Sequence, residues 1–231
     1  WLLYAFGLSK TYSGFFHSSI QMLVYINCFV AGFLMTFIPR FTGTSYARRS
    51  EVASFLFLLM GMAIFLRLEN WITAQVLYLV WQLLLIIFVA RRVPQRQKSE
   101  GVSPPVELIW IPVAIMHAII GTSVLLLSEI GFLPSRFIKI GKPMFEQGFI
   151  TAVVFGIGAF LIARMMGTNK KPAIPNSCCG GGCADKKISF SAGQELKFQL
   201  VLALGLFLSF WLEGLNQLQV SYGLRALIAT I

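Results

Sequence analysis

Apolar runs of about 20 residues recur along this chain, and proline or charge closes each of them. A hydrocarbon layer about 30 Å thick takes about 20 residues of helix to cross. Inside it every backbone N–H and C=O must be bonded within the segment, which favours helices. Six stretches meet or approach that length: 16–38, 51–67, 71–90, 105–127, 144–166 and 197–215. Shorter apolar pieces flank them at 1–9 and 220–231. The breaks fall at Pro39-Arg40, at Arg67 to Asn70, in RRVPQRQKSEG at 91–101, from Pro134 to Pro143, and through 167–195. The expected fold is all-α: a polytopic transmembrane helix bundle with six complete spans plus partial helices at both ends. Only 12% of the 231 residues are charged, about half the share a soluble domain carries. That leaves too little charge to cover a water-facing surface, so the lipid bilayer is the expected partner. The chain opens on Trp1 and stops inside SYGLRALIATI. It is therefore expected to be a fragment of a longer protein, with 1–231 forming one transmembrane helical domain.

The net charge of +10 reads as topology rather than as a nucleic-acid surface. If the chain crosses at every segment, 13 of the 19 Lys and Arg fall on one side, among them Arg40, Arg48, Arg49, Arg91 and Arg92. Basic loops are retained in the cytoplasm, so that side is expected to be cytoplasmic and no nucleic-acid partner is expected. GGG at 180–182 lacks the Lys-Ser/Thr of a phosphate-binding loop. Two histidines placed as these are give no Ser-His-Asp set.

GFLMTFIPRFTG (32–43) and GIGAFLIARMMG (156–167) share glycine, isoleucine, arginine and glycine in register, 124 residues apart. Both segments run toward the cytoplasmic side in the expected topology. A parallel four-helix repeat is one explanation, and two helices that each end at a basic membrane edge are the other. Pro39 is expected to end the first helix, and Gly43 and Gly167 to carry the chain away from it.

SIQMLVYINCFVAGFLMTFIPRFTGT (19–44) resembles the helix near the N-terminus of the NnrS family, a group of bacterial polytopic membrane proteins. Met22, Ala31, Gly32, Phe33, Leu34, Thr36, Pro39, Phe41, Thr42 and Gly43 match its pattern. QGFITAVVFGIGAFLIARMMG (147–167) resembles a second segment of the family through Gln147, Gly148, Gly156, Gly158 and Gly167. The resemblance implies about twelve helices in the whole protein, the bacterial inner membrane, bound haem and copper, and a role in the response to nitric oxide. It also exposes a departure. The family's two histidines fall here at Ser18 and Ile20, and its glutamate at Gln21.

Only His17 and His117 offer imidazoles to such a metal. His117 lies at mid-depth in its span, where a ligand and a neutral bundle contact are both open readings. His17 precedes Ser18-Ser19, a pattern that also suits a serine-capped helix entrance. Cys178, Cys179 and Cys183 stand together in SCCGGGC within the loop 167–195, expected to be cytoplasmic. Three thiolates with a flexible glycine run suit a soft ion such as Cu(I), and an unstructured, redox-exposed loop tip is the alternative. Cys28 is expected to pack within its helix. Gln21, Asn27, Thr36, Gln75 and Gln82 are expected to bond across the bundle. Glu107, Glu146 and Glu213 stand near non-cytoplasmic helix ends, as proton relays or as headgroup-solvated carboxylates. Three functions follow: a haem- or copper-binding protein, an enzyme that turns over nitric oxide at the same metal, and a small-solute or ion transporter without a metal centre.

Overall fold

Why the chain forms long rods is plain from its breaks. A computed structural model describes residues 14–95, 109–158, 162, 192–215 and 218–230, and among these nearly all are helical. Helix α1 (Gly14–Ile20) passes through a π-helical turn, Gln21–Tyr25, into α2 (Ile26–Thr42) without leaving helical geometry. Then follow α3 (Arg49–Arg67), α4 (Trp71–Arg92) and α5 (Trp110–Glu129). A single turn of 3-10 helix, Ser135–Phe137, leads to α6 (Ile138–Pro143), which continues through a π turn, Met144–Gly148, into α7 (Phe149–Val153) and a further π turn, Val154–Gly158. Helices α8 (Ala192–Gly214) and α9 (Leu218–Thr230) complete the described chain.

Five helical stretches among the described residues are long and apolar enough to cross a membrane: Phe16–Arg40, Arg49–Arg67, Trp71–Arg92, Trp110–Glu129 and Gly193–Gly214. They correspond to five of the six expected spans. The other, 144–166, is helical through Gly158, and most of its remainder lies outside the described residues. Large apolar side chains such as Phe57, Met60 and Ile64 lie exposed one turn apart on α3, while Asn27, Gln75, Gln82 and His117 are buried. That inside-out distribution suits rods whose outer faces meet lipid.

The first helix does not stop at Pro39. Helix α2 runs through it to Thr42 and ends at Gly43, whose φ of 66° is left-handed. Proline lacks the N–H that would reach back to the Met35 carbonyl, but its fixed φ is a helical one, so the helix runs on with that one bond missing. The Gly43 and Thr44 amides both turn back to the Pro39 carbonyl, so glycine supplies the stop that proline does not. At the next turn the Arg48 amide donates to Glu51 Oε2 at 2.8 Å and starts α3. The Asn70 carboxamide accepts from the Thr73 amide at 3.1 Å and starts α4.

The chain divides into two compact units, Trp1–Gln97 with Thr122–Ser135, and Lys98–Gly121 with Arg136–Ile231. In the first, α3 and α4 pack as an antiparallel hairpin against the α1–α2 rod. Phe55 meets the edges of Trp81 and Phe88 at 5.6 and 6.5 Å. Arg92, itself buried, forms a two-pronged pair with Glu51 at 2.8 and 3.2 Å and lies 3.9 Å over the Phe88 ring. In the second, α8 and α9 form the hairpin, and α6 with its π turn packs on α8. Lipid tails are as apolar as leucine, so close backbone approach must replace the hydrophobic effect between such helices. Glycine allows it: a Cβ on Gly121 would stand 2.6 Å from the Phe145 amide nitrogen and 2.8 Å from the Gly141 carbonyl oxygen.

Candidate functional site

The second unit encloses one imidazole. His117 sits two turns into α5 and is 1% exposed. Its Nδ1 lies 2.9 Å from the Val113 carbonyl oxygen, one turn earlier on the same helix. A carbonyl only accepts, so Nδ1 carries the proton and Nε2 the lone pair. Nε2 is buried with no hydrogen-bond partner among the described residues. The rings of Phe207 and Phe210, one turn apart on α8, stand edge-on to the imidazole at 5.6 and 5.8 Å. The remaining side is Gly148. A Cβ there would fall 2.5 Å from His117 Cδ2 and 3.0 Å from Phe210 Cε2, so only glycine leaves room for both rings. The Gln-Gly pair of the second sequence segment thus acquires a partner that its own neighbours do not reveal.

Gln147 faces a different group. Arg225 of α9 donates from Nε to Ser209 Oγ at 3.1 Å and from one Nη to Gln147 Oε1 at 3.0 Å. Its other Nη pairs with the Glu213 carboxylate. The guanidinium also lies 4.1 Å over the Phe210 ring, the same ring that touches His117. Three segments therefore meet at one guanidinium: α9, which carries it, α8 through Ser209, Phe210 and Glu213, and the π turn before α7. A count of Lys and Arg by membrane side, 13 of 19 on one face, does not reveal this cluster. The signal was present, since an arginine inside SYGLRALIATI is an ionisable group in an apolar run and calls for a partner.

The other expected residues fall as follows. His17 does not open its helix behind a serine cap. It lies half-buried inside α1, which already runs at Gly14, and Ser18 and Ser19 are helical rather than in the extended geometry a cap needs. His17 belongs to the first unit and His117 to the second. Cys178, Cys179, Cys183, Gly167 and Glu107 lie outside the described residues. Cys28 is exposed rather than packed, on the same outward stripe as Tyr25 and Phe29. Thr36 bonds back to the Gly32 and Phe33 carbonyls of its own helix, and Gln21 is exposed. Helical threonine and glutamine at outward positions have no facing helix to reach. Asn27 donates to the Met22 and Leu23 carbonyls at 2.7 and 3.3 Å, across the π turn just before it. Glu213 is paired with Arg225 rather than simply solvated. Among the motif residues, Gly32 has open space where a Cβ would go, and Met22, Pro39, Phe41 and Thr42 lie on the α1–α2 rod. Thr42 Oγ1 donates to the Ile38 carbonyl at 2.8 Å. Gly156 and Gly158 fall in the π turn Val154–Gly158.

Apolar rods of membrane-crossing length that turn aliphatic side chains outward and bury an imidazole, carboxamides and an arginine define a multi-span helical membrane protein. Within that class, a family model described as NnrS protein matches residues 1–230, and the chain belongs to the NnrS family. No curated protein and no solved structure matches it.

The groups that the family resemblance implies can be tested against these residues. His117, buried with a fixed tautomer and an unpartnered Nε2, is the residue that would hold a haem iron. Copper wants several soft or imidazole ligands together. No cluster of three or more His, Cys, Asp or Glu able to hold a metal occurs among the described residues, and Cys178, Cys179 and Cys183, the thiols expected to suit copper, lie outside them.

Proposed function

We propose that this protein serves the nitric oxide response of the bacterial inner membrane, with one haem held between helices by His117 Nε2. Membership of the NnrS family supports the setting. One observation carries the ligand assignment: a 1% exposed imidazole whose Nδ1 is engaged by a carbonyl and whose Nε2 is not. Leaving a nitrogen lone pair buried and unbonded costs about 1–3 kcal/mol, and metal ligation removes that cost. Haem, when bound, supplies an iron that takes up nitric oxide.

The chain's own residues do the positioning. The Val113 carbonyl holds the Nδ1 proton and so keeps the Nε2 lone pair available. Phe207 and Phe210 flank the ring with carbon and keep water from it. Gly148 leaves the ring its place.

Protein purified from cells supplied with haem should show a Soret band, and His117→Ala should abolish it. A His117→Gly variant should regain the band when imidazole is added, which separates lost ligation from lost folding. A wild-type protein without the band, or a band that survives His117→Ala, sinks the assignment.

A further inference from the structure

The first unit buries a second polar interior of quite different chemistry, and it does not depend on the haem reading. Gln75, Tyr78 and Gln82 recur at helical spacing on the inward face of α4, and each is no more than 1% exposed. Gln82 Nε2 donates to the Tyr78 hydroxyl at 2.7 Å, and Asn27 of α2 stands beside the same hydroxyl. Trp81 stacks on Tyr78 with ring centroids 6.3 Å apart. Within this group five buried atoms have no hydrogen-bond partner among the described residues: both amide atoms of Gln75, Gln82 Oε1, Asn27 Oδ1 and Trp81 Nε1. The upper end of the group approaches a cleft. Gln75 and Trp71 stand near the Glu129 carboxylate, and Glu129 lines a cleft of about 490 Å³ with Leu68, Glu69, Asn70, Trp71 and Ile72. The lower end is closed. Leu85 and Phe88, next on the same face, are buried carbon, and the Arg92–Glu51 pair lies beyond them.

We propose that this face holds a file of internal water molecules, running from the Glu129 cleft past Gln75 to Gln82 and stopping at Leu85. The chemistry of the unpartnered atoms selects the occupant. Two are donors, Gln75 Nε2 and Trp81 Nε1, and three are acceptors. A cation would want oxygens alone and an anion donors alone, whereas water offers both and needs two to four polar partners. No full charge stands among Asn27, Gln75, Tyr78, Trp81 and Gln82 to hold an ion. From Gln75 to Gln82 the helix rises about 10 Å, the span of a few waters in file. The protein thereby carries a hydrated half-pathway from one membrane face toward the middle of the first unit, on the side that the Lys and Arg bias assigns outside.

Hydroxyl radicals made in place from water by millisecond X-ray pulses test this on the intact chain. Tyr78 and Trp81 should be oxidised at least tenfold faster than Phe55 and Phe88, which are buried in the same unit and slightly more exposed than either. Gln75→Leu should cut that oxidation at least tenfold while the detergent-solubilised protein keeps its elution volume. Labelling of Tyr78 and Trp81 no faster than the two phenylalanines overturns the proposal. Labelling that Gln75→Leu leaves unchanged overturns the route from the cleft. The wild-type comparison decides the matter even if the variant fails to fold.

Discussion

Gly121 and Gly32 are the same amino acid on two membrane helices, yet the space around each predicts opposite responses to one added methyl. On Gly121 the new carbon would meet backbone, the Phe145 nitrogen and the Gly141 oxygen, which cannot turn aside. Gly121→Ala should cost about 1–3 kcal/mol, read as a lower Tm in detergent. On Gly32 nothing stands within 4 Å, so Gly32→Ala should be neutral or stabilise by about 0.5–1 kcal/mol through helix propensity. Arg225 gives a third test at this scale. Arg225→Ala leaves the Glu213 carboxylate, 15% exposed, without its partner, and should destabilise by roughly 3 kcal/mol. Arg225→Met with Glu213→Leu removes both charges and should recover most of that loss in a double-mutant cycle. The family pattern marked Gln147 and Gly148 as residues of interest, but not why. Their partners, Arg225 and His117, lie far along the chain, and no local periodicity encodes such a pairing.

Helices were legible where length and composition decide them, and less so where a single residue does. The boundaries of the first three spans agree to within two residues because a bilayer sets the apolar length. Pro39 misled, since the fixed φ of proline suits a helix and the chain runs on past the one bond it removes. Gly43, with φ 66°, is where the chain turns. Gly43→Ala should therefore cost about 1 kcal/mol, while Pro39→Ala should leave the helix end unmoved. Chemical shifts across 38–44 in micelles would separate the two outcomes. His17 misled for a related reason: serines after a histidine read as a cap only if the helix starts there, and α1 is already under way at Gly14. Cys28 was a matter of phase. It follows the buried Asn27 by one residue, which on a helix turns it about 100° to the outside.

At the scale of the molecule, the prediction concerns orientation. Reporter fusions in the 44–48 and 93–95 turns should both report the cytoplasm, and one in the 68–70 turn the opposite side, because Arg40, Arg48, Arg49, Arg91 and Arg92 gather at the former. A reversed pattern would mean that the basic bias does not set the topology. The π turns carry a last consequence. Each packs one surplus residue into a helix, and so throws the side chains after it out of step with those before. The turns at Gln21–Tyr25 and Met144–Gly148 sit at nearly corresponding places in the two stretches that share the repeated motif. Deleting one residue inside Met144–Gly148 would restore an ordinary helix with its flanks in place, and the residues within the turn would shift by one position, about 100°. Gln147 could then no longer reach its guanidinium while its neighbour cradles the imidazole. An insertion that looks like a flaw in the rod is what lets adjacent residues serve two different masters.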